Sequence, residues 1–144
     1  MAEDNIQLAE KQIAAINARD LDGYLQRIDD SYEGESETAS GPIRGPEGVR
    51  QNFEMLFRAF PDLRLEVEQV LSSGNHVVTC VRVTGTHRGT FAGIAPTNKS
   101  VSWQGCTVTE IRNGKAIRSR VYADNATLFR QLGALSLPRA TAAG

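Results

Sequence analysis

The stretch VSWQGCTVTEIRNGKAIRSRVYAD, residues Val101–Asp124, decides the fold. At its centre stands Asn113-Gly114, the dipeptide favoured in a two-residue type I′ turn because both central residues of that turn need positive φ. The flanks are rich in β-branched and aromatic residues and read as the two strands of an antiparallel hairpin. The turn sets an expected register in which Arg112 faces Lys115, Thr107 faces Arg120, Gly105 faces Tyr122 and Trp103 faces Asp124. On that register Trp103, Arg120, Tyr122 and Asp124 share one face, while Cys106, Val108, Ile117 and Val121 share the other.

Working back from the hairpin, LRLEVEQVL (63–71) alternates apolar with charged residues, and the turn signal SSGNH leads into the β-branched run HVVTCVRVTGTHRG (76–89). Upstream of these strands the period changes. Ile6, Ala9, Ile13, Ala14 and Ile16 recur at helical spacing, which predicts a helix over 4–19. Asp20 offers a cap to a second helix, LDGYLQRI (21–28). A third begins near Pro46, carries Val49, Phe53, Leu56 and Phe57, and stops at Pro61. Downstream, NATLFRQL reads as a final helix, and residues 136–144 read as a flexible tail. The expected fold is therefore one α+β domain over residues 1–144, with three N-terminal helices on one side of a curved, mostly antiparallel sheet that encloses a cavity. The sheet's opposite face, with its apolar row, calls for a cover, and self-association as a dimer or tetramer supplies one.

Composition narrows the function. With 144 residues, 40% hydrophobic, 23% charged and a net charge of -1, the chain has no basic surplus to attract nucleic acid or an anionic membrane. It shows no secretory leader and no long uncharged run, so a cytoplasmic protein is expected. Cys80 and Cys106 are far apart in sequence and read as buried thiols. His76 and His87, the two histidines, lie in different segments, and no ligand cluster or nucleotide fingerprint is present, so neither metal nor organic cofactor is expected. No serine triad or nucleophile turn occurs.

The segments GPEGVRQNFEMLFRAFPDL, GTHRGTFAGIAPTNKSVSW and IRNGKAIRSRVYADNATLFRQLG resemble the SnoaL-like polyketide cyclases, a branch of the nuclear-transport-factor-like cone fold. The resemblance implies a cofactor-free acid/base enzyme acting on a carbonyl-bearing polycyclic or aromatic substrate, with hydroxylase-like and epoxide-opening reactions as alternatives within the same fold. It also implies that Asp124, nine residues before the glycine of RQLG, is the family's acid. The histidine that accompanies this acid in the cyclases has no counterpart in TVTEIR (107–112), which leaves a noncatalytic small-molecule-binding protein open as well.

Asp124 thus carries two readings, a helix cap and a cavity acid. Burial against Trp103 would raise its pKa and Arg120 would lower it. Tyr122, Arg120, Trp103 and Thr107 share its expected face and would contact an oxygen-rich aromatic ligand. His87, matching a histidine seen in family members, is a second catalytic candidate, or else a clamp on the loop that follows it. Glu33, Glu35 and Glu37 recur at period two, a row that is solvated unless one of them, Glu35 for instance, enters the cavity beside Tyr32 and Tyr24. Glu110 reaches Asp124's face only if a bulge shifts the register.

Overall fold

The computed structural model describes residues 2–136, so all of the expected tail except Ser136 lies outside the described residues. α1 (Ala2–Asn17) buries Ala9 and Ile16. α2 (Leu21–Leu25) starts as its sequence implies, with the Asp20 carboxylate accepting from the Gly23 N–H at 2.9 Å. It is shorter than expected. Ile28 opens a strand, β1 (Ile28–Glu35), in a stretch whose charges make it read as helix end and loop. What makes it a strand is its position: Tyr32 and Gly34 are buried while Glu33 and Glu35 stay exposed, the alternation of a half-buried strand. β2 (Ile43–Arg44) pairs with it, and α3 (Gly45–Ala59) follows with Pro46 in its first turn and Val49 and Ala59 buried.

Four long strands complete the sheet: β3 (Arg64–Ser73), β4 (His76–Thr86), β5 (Ser100–Arg112) and β6 (Lys115–Ala123). The order is β2-β1-β6-β5-β4-β3, open at both ends, with only the β1–β6 pair parallel. α1 lies on β3 and β4, α3 on β1 and β2, and α4 (Asn125–Gln131) on β5. This is the expected α+β architecture, a curved, mostly antiparallel sheet with helices over its inner face.

The hairpin turn forms as read, with Asn113 at φ 55° and Gly114 at φ 73°, and Arg112 faces Lys115. Two residues further the expected register fails. Ile111 pairs with Ala116 but Glu110 pairs with Arg118, so Ile117 is an extra residue on β6, a bulge. Every later pair is shifted by one: Val108 faces Arg120, Thr107 faces Val121, Cys106 faces Tyr122 and Gly105 faces Ala123. The reason is a comparison of costs. Without the bulge, Arg118, Arg120 and Tyr122 would enter the interior, and the penalty for burying an unpaired ion is several kcal/mol each. One disrupted ladder position costs on the order of 1 kcal/mol. With the bulge, Ser119, Val121 and Ala123 face inward and the arginines face out.

The core forms two clusters. One gathers Phe60, Leu63, Val83, Phe91, Val101, Trp103, Leu128 and Leu132, the other Ile28, Tyr32, Val49, Val77, Ile111 and Ala116. Among the described residues no helix is long and apolar enough to cross a membrane.

Candidate functional site

The inner face of the sheet and the helices over it enclose a cavity of about 250 Å³. Its walls are largely apolar: Ile13 and Ile16 from α1, Phe53 and Leu56 from α3, Val77, Val81 and Val83 from β4, and Trp103 from β5. Hydroxyls interrupt this surface, from Tyr24, Tyr32, Thr79, Thr107, Thr109 and Ser119. Arg27 and Glu35 are the charged residues among the described lining residues.

The polar feature that the fold positions most firmly is a pair, Tyr32 on β1 hydrogen-bonded to Ser119 on β6. Both residues are buried, and neither strand alone would bring them together, since they lie 87 positions apart. Gly34 makes the contact possible. It follows Tyr32 on the same face of β1, and a Cβ there would stand 2.5 Å from the Tyr32 hydroxyl oxygen. Burial pushes the Tyr32 phenol up, against a smaller downward pull from the Ser119 hydrogen bond. Tyr24, edge-on to Phe53 at 5.1 Å, is also pushed up by burial and then by its neighbour Tyr32. Both phenols therefore remain protonated donors at neutral pH.

Of the residues singled out from the sequence, Trp103, Thr107, Tyr32 and Glu35 line this cavity. Trp103 packs against Phe60 with ring centroids 5.5 Å apart. Glu35 is at the rim with its carboxylate ion-paired to Arg120. The bulge moves the others. Arg120 is on the outer face, paired with Glu35 and with Glu37 at 3.3 Å, and its guanidinium lies 5.2 Å from the centroid of the Tyr122 ring. Tyr122 is 55% exposed, and Glu110 is on the same outer face, 3.1 Å from Arg118. Ile117 and Val121 leave the expected outer row, Val121 for the cavity wall.

Asp124 is an exposed N-cap and does not line the cavity. Its carboxylate accepts from the Thr127 hydroxyl at 2.6 Å and the Thr127 N–H at 3.1 Å, and these bonds hold its carboxyl below the ordinary value. The expected shielding by Trp103 fails because the shifted register no longer places the two opposite each other. His87 is fully buried but lies outside the cavity lining. Its Nδ1 accepts from the Thr97 N–H at 3.2 Å, which assigns the ring proton to Nε2, and Nε2 has no partner among the described residues. With the Thr97 hydroxyl 3.0 Å from Nδ1 and Phe60 packed on the ring, His87 clamps the loop between β4 and β5.

Ser119 escaped the sequence reading because the ideal hairpin register turns it outward. A usable signal existed: beyond Ala116 the apolar and small residues of β6 are Ile117, Ser119, Val121 and Ala123, odd-numbered like the inward residues of β5. A two-residue turn pairs odd with even, so two odd inner faces require a bulge.

The sequence profile of the SnoaL-like polyketide cyclases matches residues 6–132. The chain belongs to the SnoaL-like polyketide cyclase family. Among solved structures it is similar to AclR from Streptomyces galilaeus, a candidate hydroxylase, at 27% identity and a TM-score of 0.83, covering 94% of this chain and 100% of that one. TsrD from Streptomyces laurentii is 25% identical with a TM-score of 0.82, covering 92% and 97%. A candidate SnoaL-like polyketide cyclase from a Jannaschia species has the same fold, with a TM-score of 0.84 at 21% identity, covering 94% and 96%. Among curated proteins, none matches the chain. Among the described residues no group of three or more His, Cys, Asp or Glu could hold a metal ion.

Proposed function

We propose that this SnoaL-like protein is a cofactor-free enzyme acting on a neutral, carbonyl-bearing ring compound held in the cavity. The observation that carries the proposal is the buried Tyr32–Ser119 hydroxyl pair in an otherwise apolar wall. A protonated phenol held in place by Ser119 is a donor to a substrate carbonyl, and a stronger one once that oxygen gains charge. In an intramolecular aldol step, a carbon beside one carbonyl loses its proton and the enolate attacks a second carbonyl. The alkoxide that results then takes up a proton. Tyr32 stabilises the oxyanion, and the cavity holds the two reacting carbons together. Glu35, the one carboxylate among the described lining residues, receives the proton at the rim, with Arg120 positioning it.

Size limits the substrate. A cavity of roughly 150 Å³ accommodates one benzene, so about 250 Å³ suits a two-ring scaffold. A bicyclic aryl ketone serves as the probe. It should bind about tenfold more weakly to Tyr32→Phe than to the wild type, while naphthalene, with no acceptor, binds both alike. Equal ketone affinity in both proteins would remove the assignment. The similarity to AclR favours a second reading, a hydroxylase-like reaction in the same cavity. In it dioxygen gives one oxygen atom to the ring and an external two-electron donor, such as a reduced nicotinamide, reduces the other to water; oxygen consumption with the bound ketone and that donor would reveal it.

We also propose that two copies associate through the outer face of the sheet. Leu71, Val78 and Val108 form one row there and Cys80, Cys106 and Tyr122 the next, with Leu71 52% exposed. Light scattering that gives a monomer at micromolar concentration would refute this.

A further inference from the structure

The two cysteines, 26 positions apart and without any paired-thiol motif, meet on the outer face of the sheet. Cys80 on β4 and Cys106 on β5 are directly opposite in the antiparallel register, with their sulfurs 3.6 Å apart and both thiols free. We propose that Cys80 and Cys106 form a reversible dithiol–disulfide site, oxidised by low-molecular-weight disulfides of the glutathione type.

The backbone already has the required spacing. Directly opposed residues of an antiparallel pair have Cα atoms about 4.5–5.5 Å apart, inside the window of roughly 4.4–6.8 Å that a disulfide spans. Closing the bond takes side-chain rotation and leaves the β4–β5 ladder in place. Gln69 on β3 and Tyr122 on β6 flank the pair in the same row, and both cysteines retain partial exposure in the single chain, so an oxidant reaches the sulfurs whenever the outer face is free of a second copy. Burial, and next the hydrogen bond with Cys80, push the Cys106 thiol up, which keeps Cys106 protonated and slow to react until its proton is lost.

The exchange runs in two displacements. One protein thiolate attacks the glutathione disulfide, forming a mixed disulfide and releasing one glutathione thiolate. The second protein thiol then gives up its proton and attacks the protein sulfur of that mixed disulfide, releasing the second glutathione. Two protein thiols are oxidised to one disulfide and one glutathione disulfide is reduced to two thiols, so no other oxidant is needed. The product ties β4 to β5 directly behind Thr79, Val81, Gly105 and Thr107 of the cavity wall, and closes the loop that carries His87 and Phe91.

The test incubates reduced protein in glutathione buffers of increasing disulfide content, then quenches, alkylates and measures intact mass. The expected wild-type product is lighter by two hydrogens, carries no glutathione and is closed to alkylation at both cysteines. Its rate of formation is independent of protein concentration, which separates it from a bond between subunits meeting on this face. Its melting temperature rises by on the order of 10 °C, because the cross-link restricts the unfolded chain. Cys80→Ser and Cys106→Ser each stop at one glutathione adduct. Wild type that stops at adducts, links to a second chain, stays reduced in the most oxidising buffer or melts lower when oxidised would overturn the proposal.

Discussion

The two faces of the sheet are built from the same strands and differ in almost every chemical respect. The inner face carries aliphatic residues, Trp103 and a set of hydroxyls, of which Tyr32 and Ser119 are joined. The outer face carries the ion pairs Arg120 with Glu35 and Glu37, Arg118 with Glu110 and Arg82 with Glu68, and the facing thiols Cys80 and Cys106. On β6 the separation depends on a single inserted residue, Ile117. A difference that looks compositional is thus set by register. Arg120, Tyr122 and Asp124 end up outside, while the hydroxyls of Tyr24, Tyr32 and Ser119 line the cavity.

The sharpest way to break the comparison is to insert one alanine between Ile117 and Arg118. Beyond the bulge every residue of β6 would then move by one position, so that Arg118 faces Thr109, Arg120 faces Thr107 and both arginines turn into the cavity. Burying unpaired ions at several kcal/mol each exceeds much of a total stability of about 5–15 kcal/mol. The protein with the insertion should fail to fold, as circular dichroism would show, whereas deletion of Ile117, which keeps the observed pairs, should fold. A soluble, cooperatively melting insertion product would mean that the bulge does not control which face is which.

Gly34→Ala tests the inner face without touching a hydroxyl. Its Cβ would displace the Tyr32 oxygen from Ser119, and turnover should fall by on the order of a hundredfold, the size of one lost oxyanion donor. Adding Tyr32→Phe should then cost little more, since both changes remove one interaction. Full additivity of the two losses would show that Gly34 acts elsewhere.

The buried phenols also leave a signature in stability. Their folded-state pKa values lie above the unfolded value of about 10. The unfolded chain therefore releases these protons first, and their contribution, fully present below about pH 10, is lost as pH rises through the folded values. Urea midpoints should decline above that pH, less steeply in Tyr24→Phe. A decline of equal slope in both proteins would remove Tyr24 as a cause.

The smallest effect belongs to the outer face. Asp124→Asn should keep turnover and melting temperature close to wild type, because asparagine caps about as well as aspartate. Asp124→Ala should lower the melting temperature by a few degrees and leave turnover intact. A large loss of turnover in Asp124→Asn with unchanged melting would return the acid role to this residue.

Much was legible from the chain alone. The helical spacing from Ile6 to Ile16, Pro46 and Pro61 around the third helix and the Asn113-Gly114 turn specify their elements locally, and the structure has each of them. β1 was not legible, because IDDSYEGE carries too much charge to read as a strand and forms one only against β6. Of the residues singled out from the chain, Trp103, Thr107, Tyr32 and Glu35 line the cavity, while Asp124, Arg120, Tyr122 and His87 do not.

The sequence by itself determined the helices, the turn and the alternation of side chains along each strand, since these depend on residues a few positions apart. The tertiary structure decided which alternate set faces inward beyond Ile117, which distant hydroxyl meets Tyr32, and that Cys80 stands opposite Cys106. Those outcomes depend on keeping Arg118 and Arg120 in water and filling the space beneath α1 and α3, a balance that exists only once the whole sheet has closed over its core.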